Sequence, residues 1–366
     1  MQNKKLKIVH TESSCGWGGQ EIRILTEAKG FLGRGHEVTL LCPEQAPIYE
    51  EAQQRNIPVV ALPIARKKIK GLLAVRRWLK KNSIDIVNTH SSTDSWLMAL
   101  ASKMVANPPV LVRTRHVSAP VSNNKSTRWL YTKAVKHIAT TGEKLKQNLI
   151  SQNNFPAEMM TSVPTGIDRE LFFAGDKQQA REQLNIPQDK KVIGIVATLR
   201  SWKGHQYLID AFAQLNREDA VLLIVGGGPQ HDNIEAQIKQ LGIENKVIRS
   251  GNQRNVTPWM HTMDLFVLPS YANEGVPQGI MQAMMTGLPV VSTPVGSITE
   301  AVDHEKNGLI VKPEDVGVLK QAISQFLDDD EMRLKFGEAA RVKAEAEFAM
   351  EYMLDKMEVI FRQVLA

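Results

Sequence analysis

The 366-residue chain has only two cysteines, Cys15 and Cys42. Two cysteines cannot form a disulfide framework, so we expect a reducing, cytoplasmic compartment. No apolar run approaches the roughly 18–20 residues that a membrane-spanning helix needs. The opening segment MQNKKLKIVHTE passes from basic residues straight into a strand-like run, without the apolar stretch and small-residue cleavage site of a signal peptide.

Several catalytic signatures are also missing from the sequence. The chain has no G-x-x-x-x-G-K-[ST] loop, which argues against a P-loop NTPase. It has no G-x-S-x-G elbow and no cysteine and histidine cluster with metal-binding spacing. Anion-binding loops are many and proton-transfer pairs are few, which favours chemistry on a phosphate-bearing leaving group.

The hydrophobic pattern predicts two α/β domains. The hydrophobic share of 43% and charged share of 23% are typical of a globular protein, and the length favours two domains. Six strand-like runs alternate with helical patterns before the turn-rich segment Ser162–Phe172, and six more follow it. This alternation predicts two doubly wound parallel sheets, hinged near residues 163–168. Ligands of such sheets bind at the carboxyl ends of the strands, in a cleft between two facing sheets.

Four loops at predicted strand ends are candidate anion sites. CGWGGQE, residues 15–21, has glycines that let backbone N–H groups approach an anion, although it could be a plain turn. Arg200 and Lys203 follow the first strand of the second series, and two cations there suit a diphosphate unless they are ordinary surface charge. VGGGPQ (225–230) and GNQRNVTPW (251–259) follow the next two strands, the latter with Asn255 or Thr257 as the expected N-cap.

Two histidines and two arginines lie at strand ends in the first half. His90 and His116 fall at the ligand-facing ends of two strands, where a catalytic role and a structural role are about equally expected. Arg113 and Arg115 alternate with a threonine on one strand, so one is expected to face the ligand side and the other to pack elsewhere.

A basic segment occupies residues 65–81. Eight basic residues and no acid fall between Arg66 and Lys81, with apolar residues at roughly helical spacing. This basic amphipathic helix suits docking onto anionic lipid at the inner leaflet of the cytoplasmic membrane, or is the solvated face of a core helix. No aromatic-bearing motif accompanies the charge, so nucleic acid is not an expected partner.

The stretch YANEGVPQGIMQAMMTGLPVVSTPVGSITE, Tyr271–Glu300, resembles the retaining, nucleotide-sugar-dependent glycosyltransferases of family four. Matching segments follow in order along most of the chain: TESSCGWGGQE, DIVNTHSS, RTRH, SVPTGID, ATLRSWKG, VGGGP and NGLIVKPED. The resemblance implies the GT-B fold, an α/β architecture of two facing Rossmann-like domains. It implies an acceptor-binding domain at 1–165, a nucleotide-sugar-binding domain at 166–345, and a C-terminal helix at 346–366 that packs on the first domain.

The resemblance also implies roles for individual positions. Arg200 and Lys203 would hold the diphosphate leaving group, Glu274 would accept hydrogen bonds from the donor sugar, and His116 would contact that sugar. Donor binding is implied for Gly18, Gly19, Gly227, Arg254, Asn255, Val256, Gly275, Val276, Gln278, Gly279 and Gln282. Acceptor binding is assigned to His90, Arg113 and Arg115. No metal or cofactor is expected, because two cations and backbone dipoles supply the electrostatic stabilisation.

Two positions depart from the family pattern. Gln282 stands where a second glutamate usually grips the ribose, so charge assistance worth roughly 1 kcal/mol is lost. Pro277 stands where glycine is frequent and removes one potential phosphate-binding N–H.

The function implied is transfer of a sugar, with retention, from a UDP-sugar to a glycan or lipid-linked acceptor. The basic segment and the arginines favour bacterial lipopolysaccharide or surface polysaccharide synthesis. The alternatives are a nucleotide-sugar epimerase of the same fold and a non-catalytic nucleotide-sugar-binding protein.

Overall fold

Two compact units make up the protein in a computed structural model, which describes residues 4–117 and 119–366. The first unit comprises Met1–Gly166 together with Met350–Ala366, and the second comprises Ile167–Ala349. Each unit has its own parallel sheet, so the predicted pair of doubly wound α/β sheets is confirmed.

The sheet of the first unit has seven strands among the described residues, all parallel, in the order β3-β2-β1-β4-β5-β6-β7. The strands are β1 Lys7–Thr11, β2 Glu37–Cys42, β3 Val59–Ala61, β4 Ile86–Thr89, β5 Val110–Arg115, β6 His137–Thr140 and β7 Met160–Ser162. Alternate residues of one strand enter two separate hydrophobic clusters, Ile8 in one and Val9 in the other. Both faces of the sheet are therefore buried, as parallel sheets require.

Helices connect these strands. They are α1 Gly19–Gly33, α2 Pro47–Gln54, α3 Ile69–Lys81, α4 Ser92–Ser102, α5 Lys125–Trp129 and α6 Glu143–Asn153. A π-helical turn, Leu130–Ala134, continues α5, and a 3₁₀ turn, Ala157–Met159, precedes β7.

The second sheet repeats this order with six strands among the described residues, β10-β9-β8-β11-β12-β13, all parallel. They are β8 Lys191–Val196, β9 Ala220–Val225, β10 Val247–Gly251, β11 Leu265–Leu268, β12 Val290–Ser292 and β13 Gly308–Ile310. The helices are α7 Lys177–Leu184, α8 His205–Leu215, α9 His231–Gln240, α10 Thr257–His261, α11 Gln278–Met285, α12 Ile298–Ala301, α13 Val316–Asp328 and α14 Asp330–Glu347. In both sheets the first strand of the unit pairs with its second and fourth strands, which defines the switch point.

The last helix, α15 Met350–Leu365, packs on α1 of the first unit. A Cβ at Gly30 would collide with the side chain of Leu354, so this glycine lets the two helices approach closely. The rings of Phe31 and Phe361 lie 5.5 Å apart, and Arg34 pairs with Asp355 at 2.6 Å. The C-terminal segment thus completes the core of the first unit.

Candidate functional site

The loop after β8 carries the two predicted phosphate-binding cations. Ser201–Lys203 form a 3₁₀ turn, and Gly204 at φ +76° then opens α8. A Cβ at Gly204 would collide with the carbonyl oxygen of Pro269, so only glycine lets this loop lie against the end of β11. Arg200 is exposed, with its guanidinium 5.5 Å from the centre of the Trp202 ring.

Lys203 and Glu274 form an ion pair across the ends of β8 and β11. The Nζ of Lys203 lies 2.6 Å from Oε1 and 2.9 Å from Oε2 of Glu274, and the Ser270 hydroxyl donates to Oε1 at 2.7 Å. The Glu274 side chain is 5% exposed and that of Lys203 is 19% exposed. The carboxylate is therefore almost fully buried, and the cation that balances it reaches solvent.

The loop that holds Glu274 is fixed from two sides. The N–H of Tyr271 donates to the carbonyl of Trp202 at 2.9 Å, which joins this loop to the one after β8. Gly296 lies at φ +60°, and a Cβ there would collide with the carbonyl oxygen of Glu274. Because Gly296 has no side chain, the backbone of the PVGS segment can pack directly against the backbone of Glu274.

Helix α11 follows this loop, with Pro277 as its N-cap. Of the predicted donor residues here, Gly275 and Val276 precede the helix, and Gln278, Gly279 and Gln282 lie within it. Gln282 is half-buried, whereas Met281, Met284 and Met285 are buried in the core.

The remaining predicted donor residues lie at the ends of β9 and β10. The N–H of Leu199 donates to the carbonyl of Gly227 at 3.0 Å, which ties the glycine-rich loop to the loop after β8. Arg254 and Asn255 are exposed, and Val256 is half-buried. The predicted N-cap is wrong in detail: α10 has Val256 as its N-cap, and the Asn255 side chain accepts from the Thr257 N–H at 3.1 Å.

At the end of β1 the structure adds Glu12, a residue that the sequence reasoning missed. This buried carboxylate accepts a hydrogen bond from the Ser14 N–H at 2.6 Å and one from the Gln20 amide. Burial and the neighbouring Asp94 raise its pKa to about 8. Gly18 caps α1 and Gly19 begins it, so the predicted glycine loop lies beside this acid. A perturbed carboxyl at a strand end is typical of functional sites.

Three histidines form a hydrogen-bonded row across β1, β4 and β5. His10 Nδ1 lies 2.9 Å from His90 Nε2, and His90 Nδ1 lies 2.9 Å from His116 Nε2. His10 and His90 are buried, and His116 is half-buried. The structure thus joins the two predicted histidines directly and adds a third, which lies within β1.

The two predicted arginines of β5 differ in burial. Arg113 is 2% exposed, with its guanidinium 4.8 Å from the centre of the Tyr131 ring. Arg115 is half-buried and donates to the carbonyl of Ala119 at 2.5 Å. Because the two arginines are two positions apart, they lie on the same face of β5, and the expectation that strand alternation separates them is wrong. Arg115 is the last residue of the strand, where the side chain is less completely covered.

Among residues 4–117 and 119–366, no group of three or more histidine, cysteine, aspartate or glutamate side chains could hold a metal ion. Within the same part of the chain, no helix is long and apolar enough to cross a membrane.

Comparison with known proteins assigns the two halves to one class of enzyme. Residues 17–171 match the family described as Glycosyltransferase Family 4, and residues 176–343 match Glycosyl transferases group 1. The chain is 30% identical over 302 residues to N-acetyl-alpha-D-glucosaminyl L-malate synthase of Bacillus anthracis, covering 78% of this chain and 76% of that protein. The chain therefore belongs to the family-four glycosyltransferases, a class of transferase.

Further relatives agree with this assignment. UDP-Gal:alpha-D-GlcNAc-diphosphoundecaprenol alpha-1,3-galactosyltransferase of Escherichia coli is 26% identical over 351 residues, covering 89% of each chain. The crystal structure of Anabaena HepE in complex with UDP-glucose superposes with a TM-score of 0.87 at 23% identity, over 98% of this chain and 100% of that one. That likeness identifies the fold as GT-B.

Proposed function

We propose that the protein transfers a hexosyl group from a UDP-sugar to a glycan or lipid-linked acceptor, with retention of the anomeric configuration. The Lys203–Glu274 pair carries this proposal, because it sets a cation and a buried acid side by side at the switch point of the second sheet. A diphosphate suits the cation, and sugar hydroxyls suit the acid. The UDP-glucose bound to HepE and the UDP-galactose used by the Escherichia coli relative support UDP as the carrier.

In this proposal the second unit holds the donor. Arg200, exposed beside Lys203, supplies a guanidinium fork to the diphosphate, and Lys203 supplies a point charge. Both cations stabilise the charge that develops on the departing phosphate as the bond to the anomeric carbon breaks. The diphosphate competes with Glu274 for Lys203, so donor binding releases lone pairs of the acid toward the hydroxyls of the sugar.

We assign Glu274 an orienting role rather than a nucleophilic one. Its Oε1 accepts from both Lys203 and Ser270, and its Oε2 accepts from Lys203. In the donor complex Ser270 still donates to Oε1, and the sugar hydroxyls occupy the lone pairs that Lys203 releases, so the acid is a poor nucleophile. This supports displacement on a single face over a covalent glycosyl intermediate. In that reaction a departing phosphate oxygen takes the proton of the acceptor hydroxyl, and the acceptor oxygen bonds to the anomeric carbon.

We further propose that α3 docks on an anionic membrane, where a lipid-linked acceptor would lie. Ile69 and Leu73, one turn apart, are 76% and 43% exposed, while Val75 and Leu79 of the same helix are buried. Lys70, Arg76 and Arg77 lie within one helical turn of this apolar pair, and Lys70 and Arg77 are exposed. Exposed apolar side chains within a basic face are typical of helices that lie in the lipid interface.

Vesicle sedimentation tests the docking. The protein should bind vesicles that contain phosphatidylglycerol and not vesicles of phosphatidylcholine alone, and Ile69→Ser with Leu73→Ser should abolish binding. The matched control is Leu334→Ser with Val342→Ser, which removes two exposed apolar residues of α14. Equal binding to both kinds of vesicle would refute the membrane role.

Incubation with sugar nucleotides tests the transfer itself. UDP-, GDP- and ADP-sugars are supplied with and without a polyprenyl-diphosphate-linked monosaccharide, and products are identified by NMR. An α-linked product from an α-linked UDP-sugar, formed only with acceptor, is expected. An altered sugar from donor alone would identify an epimerase, and donor binding without product from any acceptor would identify a binding protein.

A further inference from the structure

Three imidazoles form one continuous hydrogen-bonded row at the carboxyl edge of the first sheet. The two nitrogen–nitrogen distances are both 2.9 Å, and successive ring centroids lie 5.2 Å apart, with the first pair of rings stacked and the second pair tilted by 35°. The His90 N–H of the backbone donates to Asp94 at 2.9 Å, and the Thr11 hydroxyl donates to the same oxygen. The row is therefore held by both the strands and α4.

Each ring of the row is neutral. Burial, followed by the charge of Arg23, lowers the pKa of His10 to about 3. Burial likewise lowers the pKa of His90 and of His116 well below the usual value. Nearby arginines add to the effect for both rings, and the other two imidazoles add to it for His90. A neutral imidazole carries one N–H and one lone pair.

Counting protons leaves two arrangements for the row. Three neutral rings hold three N–H groups, and the two bonds between the rings use two of them. The third N–H must lie at one end of the row, on His10 Nε2 or on His116 Nδ1. If it lies on His10, each ring donates toward His10, and His116 Nδ1 is left with a lone pair. If it lies on His116 Nδ1, each ring donates toward His116, and His10 Nε2 is left with the lone pair.

Glu27 selects the first arrangement. Its Oε1 lies 3.9 Å from His10 Nε2 and accepts a hydrogen bond from the Asn88 amide at 3.1 Å, while its Oε2 lies 3.6 Å from Arg23 Nε. Asn88 is oriented in turn by the Thr114 hydroxyl, which donates to its Oδ1 at 2.9 Å. An accepting oxygen facing a nitrogen lone pair is repulsive, whereas facing an N–H it is attractive, so His10 carries its proton on Nε2.

We propose that His10 and His90 are positioning residues that hold His116 in the Nε2–H tautomer, so that its Nδ1 accepts a hydrogen bond from a hydroxyl of the bound ligand. Among the described residues, His116 Nδ1 has no hydrogen-bond partner of its own. The hydrogen bond to the ligand depends on the proposed function, in which His116 contacts the donor sugar. The tautomer of His116 depends only on the contacts of the histidine row and Glu27 within the first unit.

Nitrogen NMR of the unmodified protein tests the tautomer without any ligand. The chain has nine histidines, so selective ¹⁵N-histidine labelling gives a small set of rings, and His116→Gln identifies the signals of His116. Protonated and bare ring nitrogens have well-separated shifts. We expect His116 with Nε2 protonated and Nδ1 bare. A protonated Nδ1 in the intact protein would overturn the proposal, whatever the protein transfers.

Variants test whether the row transmits the orientation. His10→Leu removes the link to Glu27, so the Nδ1–H form of His116 should appear in the NMR spectrum. The kcat/KM for the UDP-sugar should fall about tenfold, which corresponds to the loss of one hydrogen bond. His10→Asn places an amide oxygen near the lost Nδ1 and should restore both readouts. The control is His137→Asn, a buried histidine of β6 bonded to Thr161 at 2.9 Å, outside the row. An unchanged His116 tautomer in His10→Leu would refute transmission, and inactivity toward every sugar nucleotide would refute the proposed function alone.

Discussion

Replacing Lys203 with methionine should destabilise the second unit more than replacing its partner Glu274 with glutamine. Lys203→Met leaves a carboxylate that is 5% exposed with Ser270 as its remaining donor, whereas Glu274→Gln leaves a lysine whose side chain is 19% exposed and can be solvated. Breaking a buried pair by removing one member costs about 3–5 kcal/mol. Because Lys203 is partly exposed, we expect about 3 kcal/mol for Lys203→Met and about 1 kcal/mol for Glu274→Gln.

Calorimetry on the full chain measures this asymmetry. For a unit of this size, 1 kcal/mol shifts Tm by about 2–4 °C, so Lys203→Met should lower the Tm of the second unit by about 6–12 °C. Lys246→Met is a matched control. Lys246 is 22% exposed and also lies 2.6 Å from its partner, but that partner, Glu218, is 85% exposed. An exposed pair contributes about 0–1 kcal/mol, so the control should shift Tm by no more than a few degrees.

Ligand binding separates the two roles within the same pair. Glu274→Gln frees Lys203 from its carboxylate, so calorimetric titration should find UDP bound at least as tightly as in the unmodified protein. Turnover of the UDP-sugar should nevertheless fall by about 10²–10³-fold, since the oriented contact to the sugar is lost. Lys203→Met, in contrast, should weaken UDP binding in addition to lowering turnover. Equal losses of UDP affinity in both variants, or equal Tm shifts for Lys203→Met and Lys246→Met, would refute the reasoning.

Three other predictions follow from the second unit. Gly204→Ala should lower the free energy of unfolding by more than about 2 kcal/mol and abolish UDP binding in titration, because φ is +76° and the new Cβ would collide with Pro269. The control is Gly242→Ala, where φ is +66° but the space around the new Cβ is open, and it should cost about 1 kcal/mol. Gln282→Glu should tighten UDP binding about fivefold by restoring charge assistance to the ribose, and an unchanged affinity would refute that assignment. Burial, with Lys203 adding to it, lowers the pKa of His205 to about 4. As the pH falls below 6.5, this histidine therefore takes up a proton in the unfolded chain before it does so in the folded one, and the free energy of unfolding decreases toward pH 4. In urea unfolding, this decrease between pH 6.5 and pH 4 should be smaller by up to about 3 kcal/mol in His205→Gln than in the unmodified protein.

Most of the fold could be predicted from the sequence because buried parallel strands are nearly continuous apolar runs. VLLIV, which forms most of β9, is buried along its whole length and bounded by GGG. β7 is the exception. Of its three residues, Met160–Ser162, only the methionine is apolar, and the strand adjoins the turn formers that predict the interdomain segment.

The site was harder to predict, because its contacts join residues far apart in the chain. Lys203 and Glu274 are 71 positions apart and meet only because β8 and β11 are neighbours in the sheet. The predicted doubly wound order contains that information, but not which side chains bond. His10 and Glu12 were missed because both belong to an otherwise ordinary strand pattern, KIVHTE. The signal that could have found them is a histidine and an acid near the carboxyl end of the first predicted strand, where ligands of parallel sheets bind.

The two switch points differ in charge, and this difference predicts how the ligand is divided between them. At the first, between β1 and β4, burial keeps His10 and His90 neutral and raises the pKa of Glu12, so the polar groups there suit neutral hydroxyls. At the second, between β8 and β11, Lys203 and the buried Glu274 form an ion pair, and a diphosphate can replace the acid as the partner of the cation. The arginines near this row are already engaged, Arg23 with Glu27 at 3.6 Å and Arg113 with the Tyr131 ring, so a diphosphate there would be less well compensated than beside Lys203. Burying a poorly compensated charge is far costlier than burying a hydroxyl. We therefore propose that the second unit binds the anionic part of the donor, and that the polar groups of the first unit bind hydroxyls of the sugar or of the acceptor.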